Sequence, residues 1–273
     1  MLCLSTGLFA RSEDGSFERT LSVSGQVDLD VKTDSGGISI FKGSSGSVRI
    51  HGILKADHDW FGSGDVLNRI HELERNPPIE QNGNRLRIGY VHERGLLHGI
   101  SLRFEIETPA ETQVRARADS GGIKVEGVNG PVDCKADSGG ITIDDTPGAV
   151  HAAADSGGVH VSNAGSLFAR VDSGGIEAYG IKGTIDAQAD SGSVRVAQTS
   201  PAAITAKAES GGVTVKLAPG AGYDVRADTE SGRVSVPEMT VHGSFSPSHV
   251  EGTIRGGGPL VSVHADSGSV AID

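Results

Sequence analysis

Nine carboxylates in this chain share one local setting. Asp34, Asp119, Asp137, Asp155, Asp172, Asp190, Glu209, Glu230 and Asp266 each open a block that reads carboxylate-Ser-Gly-x, then Ile or Val, then x and an apolar residue. Such residues are open to three chemistries. A regular row of carboxylates is a candidate for hard cations, with Asp119, Asp137, Asp155, Asp172 and Asp190 as weak calcium candidates. A Ser beside an acid is a candidate nucleophile, but a triad needs a partnered His, and a Ser repeated nine times has none. Two carboxylates facing each other across a bound sugar could hydrolyse a glycosidic bond. The acids outside the blocks that could serve are Asp133, Asp144, Asp145 and Asp186, and Asp144-Asp145 adjoins a turn, where a solvated pair is the plainer reading.

Spacing decides among these. From Asp119 onward the blocks follow at intervals of 18, 18, 17, 18, 19, 21 and 36 residues. A fixed period near 18 is the signature of a stacked repeat architecture. A residue present once per repeat belongs to the scaffold before it belongs to any active site. Ser120, Gly121, Ser138, Gly139, Ser156, Gly157, Ser173, Gly174, Ser191 and Gly192 are therefore structural turn residues. Calcium-binding nonapeptide solenoids place Asp after the glycines with a period of nine residues. Here Asp precedes them and the period is twice that.

The elements that must position these blocks are short strands. Val114, Ala116 and Ala118 alternate with Arg115 and Arg117 before the block, and Ile123 and Val125 alternate with Lys124 and Glu126 after it. Period-two alternation is a half-buried strand, so each unit is strand, tight turn, strand, second turn. Such a coil cannot bury its apolar side alone and must stack on neighbours. One inward column runs Leu29, Val114, Val132, Val150, Leu167, Ile185, Ile204, Val225, Val261, and a second, mostly Ala, runs Val31, Ala116, Cys134, Ala152, Ala169, Ala187, Ala206, Ala227, Val263. The small residues imply a thin interior, which suits a solenoid and not a wide barrel. Seven or eight coils at about 4.8 Å each give a core roughly 35 Å long. The invariant first Gly is expected at positive φ, the carboxylate to accept amide hydrogens within the turn, and the Ser hydroxyls to form a ladder. Stacked carboxylates repel by of order 1 kcal/mol per neighbouring pair in water. Lys32, Arg117, Lys135, Arg170, Lys207 and His264, two positions earlier on the same side, are the expected counter-ladder.

Composition bounds the rest. A formal net charge of −11 argues against a nucleic-acid partner. A single Trp leaves no obvious sugar-stacking platform. The histidines, His51, His58, His71, His92, His98, His151 and His160 among them, show no metal-ligand spacing; His151 and His160 are expected on outward positions of one coil. Cys134 reads as a small core residue and is not expected to bridge to Cys3. The glycines lie between strands and not before a helix, which excludes a phosphate loop. No metal or cofactor is expected, and no direct membrane insertion. Residues 1–16 read as a flexible tail or a signal-peptide remnant, with Ala10 near a cleavage point.

Between Asp34 and Asp119 the period is interrupted. Strands are expected around Val23–Val31, Ile38–Phe41 and Val48–Ile53, with Ser44-Ser45-Gly46-Ser47-Val48 as a degenerate block. An amphipathic helix over Ser63–Arg75 carries Val66, Leu67, Ile70 and Leu73 and stops at Pro77-Pro78. A hairpin around Asn82-Gly83-Asn84 follows. Residues 54–100 form a capping insert over the first coil, with His58, Asp59, Trp60 and Arg69 as the alternative ligand set, and 110–273 form the regular coils. A looser coil over Val241–Pro259 and a last coil are expected to close the stack.

Four features in order resemble a bacterial family of unknown function, DUF4097, known as "putative adhesin". They are Phe17-Glu18-Arg19-Thr20-Leu21-Ser22-Val23, the repeated Ser-Gly-x-Ile/Val, Asn76-Pro77-Pro78-Ile79, and Arg255-Gly256-Gly257-Gly258-Pro259. The resemblance covers nearly all of the chain and implies one all-β solenoid domain over 17–273, of about 18-residue coils with two strands each, in the cell envelope, periplasmic or extracellular. It implies no established activity. The acid before each Ser departs from relatives that tolerate Thr or Gly there. The resulting expectation is a non-enzymatic module offering a repetitive acidic face to a cell-surface glycan, a protein or a second copy. The alternatives are a structural or regulatory envelope protein that self-associates and, further off, a glycan-active β-helix enzyme.

Overall fold

The computed structural model describes residues 14–56, 64–93, 95–237 and 239–273. Cys3, His58, Asp59 and Trp60 lie outside them. The fold is a β-solenoid of two ladders joined by the Ser-Gly turns. The ladder before the turns stacks strands Val27–Ser35, Thr112–Ser120, Val132–Ser138, the second half of Ile141–Ser156, the second half of Val159–Ser173, Ile185–Ser191 and Ile204–Ser210 in parallel. The ladder after the turns repeats this order from Ile38–Lys42 to Val213–Lys216. Every residue of both inward columns is buried. The Ala-rich column is complemented by Ile123, Ile141, Val159, Ile176, Val194 and Val213 from the other ladder, all buried.

The stack departs from chain order at one place. Strand Leu260–Ser267 pairs with Ile204–Ser210 on one side and with Tyr223–Ser231 on the other. The coil of Asp266 is thus slotted between the coils of Glu209 and Glu230, and it does not close the stack. Nine coils stack, spanning roughly 38 Å at about 4.8 Å per step. The interval of 36 residues holds no looser coil. It forms an antiparallel hairpin, Met239–Ser246 with His249–Ile254, that pairs with Tyr223–Ser231 at the far edge.

At the other end, the sheet begins with an edge strand, Gly15–Ser22, where the sequence suggested one strand from Val23. A break at Ser24-Gly25, with Gly25 at φ 76°, separates it from Val27–Ser35. The Ser44–Val48 segment is not a block of the stack, because Ser47–Ala56 runs antiparallel to Gly15–Ser22 and to Ile100–Thr108. Helix Gly64–Arg75 buries Val66, Ile70 and Leu73, while Leu67 stays exposed. Hairpin strands Ile79–Asn82 and Arg85–Ile88 extend the first ladder beyond Val27–Ser35. The edge strand is blunted by side chains: Ser16 N–H donates to Glu74 Oε1 at 3.0 Å, and Gln81 Nε2 donates to the Ser22 carbonyl at 2.9 Å.

Eight of the nine invariant glycines have φ between 121° and 151°; Gly232, in the end coil, lies outside the left-handed range. Each N–H from Gly36 to Gly192 donates to the Ser carbonyl of the next coil at 2.8–2.9 Å. The ladder at the turn is therefore one of main-chain groups, where the sequence suggested Ser hydroxyls.

Candidate functional site

The carboxylate row is built by the turn. Lys32 Nζ lies 3.0 Å from Asp34 and 3.9 Å from Asp119, and Lys135 Nζ lies 3.2 Å from Asp137 and 4.0 Å from Asp155. Each lysine thus bridges two successive rungs. Hydrogen bonds to Asp34 and Asp137 raise the pKa of Lys32 and Lys135, so both stay charged across the neutral range. Lys207 pairs with Glu209 at 3.5 Å. His264 sits between Asp228 and Asp266, 2.5 Å from the latter, and Asp228 above all raises its pKa.

Two members of the expected counter-ladder turn elsewhere. Arg117 lies 3.9 Å from Asp30, and Arg170 donates to Gln188 at 2.6 Å and covers the Phe168 ring at 4.9 Å. Among the described residues no ion pair reaches Asp172 or Asp190. The carboxylates meet side-chain bases where the turn amides were expected, because those amides are spent on the next coil's Ser carbonyls. Among the described residues no group of three His, Cys, Asp or Glu could hold a metal ion.

The separate acids do not converge. Asp133 and Asp186 stand in the same outward row but three rungs apart, about 14 Å at 4.8 Å per rung. That exceeds the roughly 6.5–9.5 Å of an inverting carboxylate pair. Asp186 accepts from Gln188 at 3.2 Å, and Asp144 accepts from Ser162 at 2.6 Å. Asp145 is a corner residue. Gly127, Asp145, Asn163 and Gly180 fall eight positions after their block carboxylates and have φ of 76°, 51°, 54° and 74°. Asp and Asn are the side chains that best tolerate this conformation, and Asn163 Nδ2 donates to Asp145 Oδ1 at 2.8 Å. The shared offset was legible in the sequence, and it removes Asp145 from the catalytic candidates.

Arg69 is committed to the fold. Its Nη1 donates to the Gly95 and His98 carbonyls at 2.8 and 2.6 Å, and Asp65 lies 3.1 Å away. Burial pushes the Cys134 thiol far up, out of thiolate chemistry. His151 and His160 belong to opposite ladders: His151 stacks on Phe168 at 5.3 Å, and His160 faces Tyr179 at 6.1 Å.

The arrangement that sequence reading missed lies on the ladder after the turns. A groove of about 380 Å³ runs across four rungs, walled by Thr142, His160, Glu177 and Arg195 and floored by Gly140, Gly158, Gly175 and Ser193. All four wall residues fall five positions after a block carboxylate, so the pairing register places them in one row. Glu177 accepts from Arg195 at 3.1 Å and lies 3.8 Å from His160. Tyr179, two residues along the same strand, leaves 42% of its surface in solvent. The wall carries acceptors and donors on paired strands, and the Tyr179 ring stands beside it.

The Toastrack DUF4097 family model matches residues 74–273, and the chain belongs to that family. The Asn76-Pro77-Pro78-Ile79 and Arg255–Pro259 features fall inside the match, and Phe17–Val23 falls outside it. Among solved structures, the chain is similar to a "putative adhesin" from Bacteroides fragilis, at 15% identity and TM-score 0.48, over 94% of this chain and 97% of that one. It is also similar to a "putative cell adhesion protein" from Clostridium sporogenes, at 12% identity and TM-score 0.27, over 94% and 98%. A search of curated proteins returns no match. No helix among the described residues is long and apolar enough to cross a membrane.

Proposed function

We propose that this chain is a non-enzymatic module of the bacterial cell envelope, periplasmic or extracellular, that binds a partner along the solenoid. The carrying observation is the groove across four rungs, walled by Thr142, His160, Glu177 and Arg195. Its parallel strands hold the wall rigid, as a recognition surface requires. The acidic turn row borders it: Asp137, Asp155, Asp172 and Asp190 precede the floor residues by three positions. The wide separation of Asp133 and Asp186, and the corner role of Asp145, support binding without turnover. The blunted edge at Gly15–Ser22 speaks against end-to-end self-association at that end.

The test is co-sedimentation of the purified chain with bacterial envelope fragments, with released sugars and peptides measured in the supernatant. Saturable binding without release is the expected result. Release of reducing ends or peptides would establish an enzyme, and the absence of binding would remove the binding role.

A further inference from the structure

We infer that the groove takes a neutral, extended polysaccharide of pyranose rings lying along the stack axis. This deepens the binding role proposed above and rests on it. The first argument is the step. Wall residues recur once per coil, at about 4.8 Å, whereas an extended peptide advances about 3.3 Å per residue. A peptide laid along the axis therefore matches only every second rung, about 9.9 Å for three residues against about 9.6 Å for two rungs, and leaves the rung between unmatched. An equatorially linked pyranose chain advances by nearly one rung per ring, so each ring meets one wall residue.

The second argument is the chemistry of the wall. Sugar hydroxyls both donate and accept. Glu177 accepts, Arg195 donates and Thr142 does either. The Glu177–Arg195 pair at 3.1 Å fixes both groups before a ligand arrives, and both side chains keep about half of their surface in solvent, at 44% and 54%. Tyr179 adds an exposed ring on which the apolar face of a pyranose can stack. The sequence holds one Trp, so a platform was not evident there; the register supplies it by placing Tyr179 beside His160 at 6.1 Å.

The third argument is charge. Asp137, Asp155, Asp172 and Asp190 follow the groove along its turn side, and no ion pair reaches the last two among the described residues. A polyanionic glycan would run beside this row and be repelled.

The floor provides a test that spares the fold. Ser193 and Ser269 already occupy the position equivalent to Gly158, and a Cβ at Gly158 would stand 3.3 Å from the Gly175 carbonyl oxygen. Gly158→Ser should therefore fold while raising the groove floor. Titration calorimetry would use cellohexaose and chitohexaose as neutral probes, polygalacturonate as the anionic probe and an extended polar peptide as the control. Binding of at least one neutral probe is expected. Tyr179→Ala, Arg195→Ala and Gly158→Ser should each weaken it by about tenfold or more, with circular dichroism melts reporting that each variant is folded. Tighter binding of polygalacturonate or of the peptide overturns the inference, as does neutral binding that the three folded variants leave unchanged. If the chain sediments with envelope fragments but binds neither neutral probe, the ligand class fails and the binding role stands. If it does neither, both fail.

Discussion

Replacing Gly157 by Ala separates the two glycines of a block by mechanism. Gly157 has φ 136°, and an added Cβ would collide with the Gly139 carbonyl oxygen of the neighbouring coil. An L-residue held in the left-handed region costs about 1–2 kcal/mol. Relieving the collision moves the rung, which strains the bonds from Gly157 N–H to Ser173 at 2.9 Å and from Gly139 N–H to Ser156 at 2.8 Å. Each is worth about 1 kcal/mol net. The loss comes to about 3–4 kcal/mol, or a fall in Tm of roughly 6–16 °C for a chain near this size. Gly158→Ala avoids the first obstacle and meets a milder form of the second: its φ is outside the left-handed range, and the new Cβ, 3.3 Å from the Gly175 carbonyl oxygen, needs a shift of only a few tenths of an ångström. It should cost less than about 1 kcal/mol, as surface changes do. Thermal and urea unfolding of the two variants side by side is the assay. Equal losses, or a larger loss at Gly158, would refute the account of the turn.

Three further outcomes are expected. His264 has its pKa raised chiefly by Asp228, with Asp266 adding to it. Its contribution to stability is therefore complete below the unfolded value of about 6.5 and is lost as pH rises through the folded value. His264→Gln should flatten that part of the Tm profile measured from acid to mildly alkaline pH; an unchanged profile contradicts a stabilising role for the Asp228–His264–Asp266 contacts. Tyr223→Phe should cost about 1–3 kcal/mol, because the buried hydroxyl donates to Gln198 at 3.0 Å and accepts from Ala218 N–H at 3.2 Å, leaving both without it. A neutral result by urea unfolding would show that Gln198 finds another partner. Millimolar calcium after EDTA should leave Tm unchanged, because Lys32 and Lys135 already bridge successive carboxylates. A calcium-dependent rise following mass action would reassign Asp119, Asp137, Asp155, Asp172 and Asp190 as cation ligands.

The coil itself was legible residue by residue. Alternation named Val114, Ala116 and Ala118 as inward, and they are buried, because a strand's side chains change sides at every residue whatever lies beyond it. The Ser-Gly turn was legible because only glycine serves where a Cβ would strike the next rung. Four of the six counter-ladder members were also legible, at Lys32, Lys135, Lys207 and His264. Arg117 and Arg170 were not, since a long side chain chooses among neighbours on several coils and sequence names only those on its own.

The sequence by itself determined the period, the inward columns, the positive-φ positions and a family. Only the tertiary structure decided the order of the coils. Every coil offers the same parallel edge, with the same Gly N–H and Ser carbonyl, so nothing local says which coil follows which. The coil of Asp266 enters between those of Glu209 and Glu230 because the hairpin from Met239 to Ile254 takes the outer edge of Tyr223–Ser231. The groove is decided the same way. Thr142, His160, Glu177 and Arg195 are 17 to 18 residues apart in sequence and become one wall only when parallel pairing sets them in register.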